Sequence, residues 1–368
     1  MKRFIALVFT LVFVANGFSQ HFFDNEFDKQ KHYIILTNPT VWNIKTIQYL
    51  TKNHLLTINS NSYNFVGVYY KNQNYDFSKT KNYIETNKLT GFYLQEISGK
   101  LSENSLYKEN NISAQLKKVF DNSVGIFFFG GPDIPPALYG EKNTKSVVTD
   151  PERHYFEASF LFHLLGGYQN ETTTPFLNEN PDYLVTGFCL GMQTINVATG
   201  GTLIQDIPQE IYGAETPQET VKICRENLHR NYWQKIETDS LFMGANLHPI
   251  QFTKNPFFTE KVKVPKRWNP RVYSSHHQAV EKLGKGLEVT ALSADGKIIE
   301  GVAHKKFPHI FAVQFHPEVS ALYEDMFVRK FAPTDKPETY HNIIGKRSIK
   351  FHKKYWEYIS TILNNEVV

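Results

Sequence analysis

The sequence predicts an α/β fold with a mostly parallel central sheet, and three observations carry that expectation. Strand-like and helix-like segments alternate from Tyr33 to Thr199. One strand candidate, Val124-Gly125-Ile126-Phe127-Phe128-Phe129, is apolar throughout and closed by Gly130-Gly131-Pro132. An unbroken apolar run ending in glycines suits a strand buried on both faces of a parallel sheet. The third is composition: 41% hydrophobic and 21% charged residues over 368 positions, enough to bury a large core.

The elements follow in order. Tyr33 to Leu36 is a short strand ended by Asn38-Pro39, and a helix is expected from about Val41 to Lys52. Phe65 to Tyr70 and Gly91 to Leu94 are further strands, and Ile112 to Phe120 has helical spacing. After the Val124 strand, Tyr155 to Leu165 reads as a crossover helix, Tyr183 to Thr186 as a central strand and Leu190 to Thr199 as its helix. From about Gly201 to Pro270 the chain is polar and irregular, with hairpins expected. Leu287 to Leu292 alternates like a strand, Asp295-Gly296 is a hairpin turn, and Ile298 to Ala303 is the return strand. Ile310 to Phe315 is a last strand closed by His316-Pro317. The basic, aromatic tail from Asn342 to Leu363 is expected as a terminal helix packed on the body, within a tail of about 338–368.

Lys2-Arg3, the apolar run Phe4 to Ala15 and the small residues Gly17 and Ser19 read as a signal peptide over 1–19, cleaved near Ser19–Gln20. Export to the periplasm or beyond is therefore expected, with no membrane span after cleavage and a single catalytic domain over 20–368. Net charge is +4 without a dense basic block, which argues against nucleic acid as a partner. A homodimer is left open. In an exported chain a disulfide is the default for two cysteines, here Cys189 and Cys224.

The context of Cys189 argues otherwise. Gly187-Phe188-Cys189-Leu190-Gly191 follows a strand pattern and opens a helix pattern, the setting of a nucleophile elbow. The glycines allow a sharp turn. The sulfur then lies at a helix N-terminus, where the dipole favours thiolate. The Leu190 amide would face a developing oxyanion. His316-Pro317-Glu318 closes a strand, and residues two apart in extended chain share a side. His316 can serve as base and Glu318 as the carboxylate that fixes its tautomer. The adjacent His276-His277 raise a metal site, but strand neighbours point to opposite faces and no Cys or carboxylate cluster completes a shell. No metal and no cofactor is expected. His248, His304 and His309 stand outside any motif and are expected at the surface.

Four segments together resemble the class I glutamine amidotransferase superfamily. They are Phe129 to Asp133, the elbow Gly187 to Gly191, Ser275-His276-His277-Gln278-Ala279-Val280, and Val313-Gln314-Phe315-His316-Pro317-Glu318. The run Cys189 to Pro208 is similar to the peptidase C26 branch, which holds γ-glutamyl-γ-aminobutyrate hydrolases and their relatives. The resemblance implies a flavodoxin-like three-layer sandwich with extra β-hairpins, a Cys189-His316-Glu318 triad, and an oxyanion hole from the Gly131 and Leu190 amides. It also implies substrate contacts from Gln193, Ser275, His276 and His277. The chain departs from the family pattern at Phe315, where Trp is usual, and at His154, which replaces the second acid of a D-x-x-R-D-x-x-E segment. Its 241–267 insert is also longer than expected.

The expected activity is cysteine-dependent cleavage of γ-glutamyl amides through a γ-glutamyl thioester. Export and the absence of a synthetase segment favour hydrolysis. The alternatives are a glutaminase module feeding ammonia to a partner and a catalytically silent binding protein on the same fold.

Overall fold

A computed structural model of the chain describes residues 20–326 and 328–365, so the expected signal peptide lies outside the described residues. Five strands come first: β1 (His32–Thr37), β2 (Tyr63–Tyr70), β3 (Phe92–Ile97), β4 (Gly125–Phe128) and β5 (Leu184–Phe188). They are interleaved with α1 (Val41–Lys52), α2 (Ser78–Thr86), α3 (Ser113–Asp121) and α4 (Pro151–Leu165), and α5 (Leu190–Ala198) follows β5. Then come β6 (Leu203–Ile204), β7 (Asn246–Phe252), β8 (Arg271–Ser274), β9 (Ala279–Val280), β10 (Leu287–Ser293), β11 (Ile299–His304) and β12 (Ile310–Val313). β6 and β9 form a small ribbon apart from the main sheet.

The main sheet has ten strands in the order β3-β2-β1-β4-β5-β12-β11-β10-β7-β8. Pairing is parallel from β3 through β12 and antiparallel from β12 through β8. Winding runs outward from β1 to β3 and then restarts on the other side of β1 at β4. Ligands of such sheets bind at the carboxyl ends of strands near this reversal. The loops that leave β1, β4, β5 and β12 all open at that end. They carry Asn38-Pro39, Gly130-Gly131, Cys189 and His316.

The sheet is covered on both faces, giving three layers. Leu116, Phe156, Phe160, Leu164 and Ile195 from α3, α4 and α5 pack on one face. Ile44, Ile47 and Ile84 from α1 and α2, with Phe351, Tyr355, Trp356 and Ile359 of the C-terminal helix (Lys346–Asn365), pack on the other. This is the α/β class expected from the alternation, with a mostly parallel central sheet and an antiparallel extension.

Three local features differ from the sequence reading. α2 was not singled out there. It buries only Thr80 and Ile84, so its apolar period is faint. The stretch read as irregular contains β7, a full strand of the main sheet. Pro249 interrupts its strand pattern but pairs with Arg271 next to the sheet edge, where a missing N–H is tolerated. The tail is two helices rather than one, because Gly345, with φ of +78°, separates Tyr340–Ile344 from Lys346–Asn365. Among the described residues no helix is long and apolar enough to cross a membrane.

Candidate active site

Cys189 occupies the turn between β5 and α5 with φ 53° and ψ −107°. A non-glycine residue held at positive φ stores strain that its surroundings must impose. They do so by close packing. A Cβ on Gly187 would lie 2.6 Å from the Gly191 carbonyl carbon, and one on Gly191 would lie 2.2 Å from Phe128 O. Any side chain at either position would push α5 off β4 and β5. The Cys189 amide donates to Val313 O at 2.9 Å, which ties the elbow to β12. Cys189 is 6% exposed and borders a cavity of about 540 Å³.

His316 follows β12 and faces the same cavity. Its Nδ1 is 2.6 Å from Glu318 Oε1, and the ring borders the same cavity as Cys189. Burial alone would favour the neutral ring. The Glu318 carboxylate and the Cys189 sulfur outweigh it and hold His316 well above its usual pKa. The His316 amide donates to Tyr273 O at 2.9 Å. Trp356 Nε1 (3.0 Å) and the Tyr323 hydroxyl (2.5 Å) both donate to Pro317 O, so the C-terminal helix helps to hold the His316–Glu318 loop.

Gly131 lies across from the elbow. A Cβ there would sit 2.8 Å from Leu190 Cδ2 and 2.1 Å from Arg153 Nη1. Arg153 Nη2 donates to Phe129 O (2.9 Å) and Gly130 O (3.2 Å), while Nε donates to Glu157 Oε1 at 3.0 Å. The buried guanidinium thus fixes the backbone leading into Gly131. Burial raises the Glu157 carboxyl against the pull of Arg153. His154 is fully buried, neither ring nitrogen has a hydrogen-bond partner, and burial pushes it down to about 3, so the ring is neutral.

The other expected substrate residues are dispersed. Ser275 lines the cavity with Cys189 and His316. Gln193 turns inward, donating to Gln278 O at 3.1 Å and Gln314 Oε1 at 3.3 Å. His277 bridges Asp133 (2.9 Å) and Asp206 (3.2 Å) and borders a separate, smaller pocket. His276 is buried behind the Ser275 wall, with Nδ1 2.8 Å from Gln278 O. Sequence reasoning missed the opposite wall. Trp42, Asn43, Lys45, Thr46 and Tyr49 of α1 line the cavity, and Trp42 is 74% exposed at its rim. The one sequence signal for that wall was the position of α1 after the first strand of a doubly wound sheet.

A family model described as peptidase C26 matches residues 66–318, a span that contains the elbow, the Ser275 loop and His316–Glu318. The chain belongs to the peptidase C26 family. It is 32% identical over 199 residues to the glutamine amidotransferase-like protein YvdE of Lactococcus lactis, covering 52% of this chain and 65% of YvdE. It is 29% identical over 229 residues to the glutamine amidotransferase-like protein RP404 of Rickettsia prowazekii, covering 58% of this chain and 75% of RP404. It is also 31% identical over 196 residues to protein NtpR of Enterococcus hirae, covering 52% of this chain and 65% of NtpR. The match thus spans about two thirds of the length of YvdE and of NtpR.

Two expectations for this C26 family member are corrected. His248, expected at the surface, is fully buried on β7, and His304 and His309 are half-buried. The expectation that no carboxylate cluster accompanies the histidine pair fails for His276. His276 and His277 do point apart, but His276 meets His229, His248 and Glu300, with one ligand atom of each within 4.8 Å of all the others. The four come from a loop, β7, the Ser275 loop and β11, so no sequence spacing could reveal them. Burial pushes His229 and His248 down to about 4 and Glu300 up to about 7. Cys189 and Cys224 are both free, one buried and one exposed.

Proposed function

We propose that this C26 protein is a cysteine-dependent amidase that hydrolyses γ-glutamyl amides. The observation that carries the reading is the juxtaposition of Cys189, His316 and Glu318 at the wall of one cavity. In this scheme the Cys189 thiolate attacks the γ-carbonyl carbon and a C–S bond forms. The negative oxygen faces the Gly131 and Leu190 amides. The C–N bond breaks as His316 gives its proton to the leaving amine. Water then attacks the thioester, neutral His316 takes a proton from it, and the C–S bond breaks. Glutamate leaves, and the thiolate and imidazolium are restored. Ser275 and the α1 residues Asn43, Lys45 and Thr46 supply polar contacts for the glutamyl part, while Trp42 at the rim suits the leaving group.

The test is glutamate release from γ-glutamyl-aminobutyrate, γ-glutamyl peptides, folyl polyglutamate and free glutamine, with α-glutamyl peptides as control. Turnover of at least one γ-linked amide is expected. Cys189→Ala should lower it by roughly 10⁴-fold or more while leaving the circular dichroism spectrum unchanged. Turnover that survives this substitution, or hydrolysis of none of the panel, would sink the proposal.

A further inference from the structure

The cluster behind the Ser275 wall belongs to no step of the reaction above. Its four residues are all nine-tenths or more buried, and Glu300 and His248 have no exposure at all. Five of their polar atoms have no hydrogen-bond partner: both ring nitrogens of His229, Nε2 of His276 and both carboxylate oxygens of Glu300. His229 Nδ1 is 3.0 Å from Glu300 Oε1, but not in hydrogen-bonding geometry. His248 Nε2 is 3.7 Å from the same oxygen. Buried polar atoms are nearly always paired, and an unpaired buried carboxylate is among the costliest groups in a protein. So many orphans in one place, aimed at one another, call for a shared partner.

We propose that His229, His248, His276 and Glu300 bind one divalent transition cation of the zinc class. The donor set is three imidazole nitrogens and one carboxylate oxygen, which such ions prefer over the oxygen-only shells of magnesium or calcium. The outer contacts also fit. His276 Nδ1 is 2.8 Å from Gln278 O and His248 Nδ1 is 3.2 Å from Pro249 O. A carbonyl at that nitrogen fixes the N–H there and leaves Nε2 as the lone-pair donor, the arrangement that orients metal-binding histidines. Nε2 of His276 is unpartnered, whereas Nε2 of His248 meets the Ser274 hydroxyl at 2.8 Å, which turns away when that nitrogen takes the cation. Ring centroids of His229 lie 4.5 Å from His248 and 4.9 Å from His276, with the planes inclined at 68° and 45°, so the rings converge by their edges rather than stack. Tetrahedral coordination asks for ligand atoms ~3.4 Å apart, so the widest gaps, up to 4.8 Å, close modestly around the ion.

The site is closed, which marks it as structural rather than catalytic. The cation cross-links the 229 loop, β7, β11 and the loop carrying Ser275. It braces that wall of the cavity from behind, without touching substrate. His276 already donates its amide to His229 O at 3.1 Å, so two of the four ligands are joined through backbone before any ion arrives.

The test uses the full chain carrying Cys189→Ala, so that zinc cannot bind the reactive thiol. Metal is counted by mass spectrometry after purification without chelator. The chain is then stripped and titrated with Zn²⁺ against a chromophoric chelator. One equivalent per chain is expected, with a thermal midpoint that falls on stripping and returns with Zn²⁺. Co²⁺ in place of Zn²⁺ should give visible bands of a four-coordinate nitrogen and oxygen site without sulfur charge transfer. His229→Gln and Glu300→Gln should each weaken binding by more than the roughly 10–100-fold typical of losing an outer-shell partner. Uptake of less than a tenth of an equivalent at micromolar Zn²⁺ overturns the site. So does undiminished affinity in the variants, or a six-coordinate cobalt spectrum. The cobalt spectrum needs no ligand substitution, so it decides the matter even if a variant fails to fold.

Discussion

Glu318 lies 2.6 Å from His316 Nδ1, and its charge, together with the Cys189 sulfur, keeps the ring protonated against burial. This contact fixes the direction of the pH response. In the proposed reaction the imidazolium is the proton donor to the leaving amine, so kcat/KM should fall as pH rises through the raised His316 pKa. Glu318→Gln removes the charge that raises it. The alkaline limb should then move to lower pH and kcat should drop by roughly 10²–10⁴-fold, read from pH–rate profiles of both proteins. The same shift has a stability counterpart. A histidine whose folded pKa lies above its unfolded value stabilises the fold fully below about 6.5, and that contribution disappears as pH rises through the folded value. The Glu318→Gln variant should therefore show a flatter melting temperature across the alkaline range. Arg153 makes the second residue-scale case. Its ion pair with Glu157 is buried, with side chains 4% and 0% exposed. Arg153→Leu strands that carboxylate and should cost about 3–5 kcal/mol in denaturant unfolding, much of it recovered by adding Glu157→Leu.

At the scale of the element, the C-terminal helix does more than cover the sheet. Trp356 is fully buried against Phe188 of β5, with ring centroids 5.6 Å apart, and its indole N–H holds Pro317 O between His316 and Glu318. Trp356→Ala should cost about 3–5 kcal/mol from packing alone. Trp356→Phe keeps most of the packing but loses the N–H donor. It should be far milder in unfolding yet still lower kcat, by up to about 100-fold if the loop shifts by an ångström. Equal stability and equal kcat in the Phe variant would remove the indole from the positioning of His316. The elbow shows how legible a single element can be. Gly187-x-Cys189-x-Gly191 is local in sequence, and the crowding that demands glycine arises between neighbouring turns of the same strand–helix unit, with β4 alongside. The α1 wall was not legible, because Trp42, Asn43 and Lys45 become functional candidates only once β1 lies beside β4.

At the scale of the whole molecule, one sheet separates two apolar layers, and the second depends on a segment far away in sequence. Phe351, Tyr355, Trp356, Ile359 and Leu363 lie against strands and helices that begin some three hundred residues earlier, and Ser360 Oγ accepts from the Thr57 amide at 2.9 Å. Ending the chain at Gly345 should expose that face. The expected outcome is loss of soluble protein or of a cooperative melt, followed by circular dichroism. An unchanged melt would show that the helix is dispensable.

The sequence by itself determined what depends on neighbours along the chain. Alternating apolar runs specify the α/β layers, glycines at 187 and 191 specify the elbow, and His316-Pro317-Glu318 places an imidazole beside a carboxylate at the end of β12. Only the tertiary structure decided what depends on strand order. It set Arg153 behind Gly131 and turned Gln193 inward. It also buried His248 and brought His229, His276 and Glu300 around it, so that a histidine without sequence context became part of a buried cluster of three histidines and one glutamate. The physical reason is the same throughout. Backbone propensity and hydrophobic period act within about ten residues, whereas burying lone polar atoms is tolerated only where distant strands supply partners.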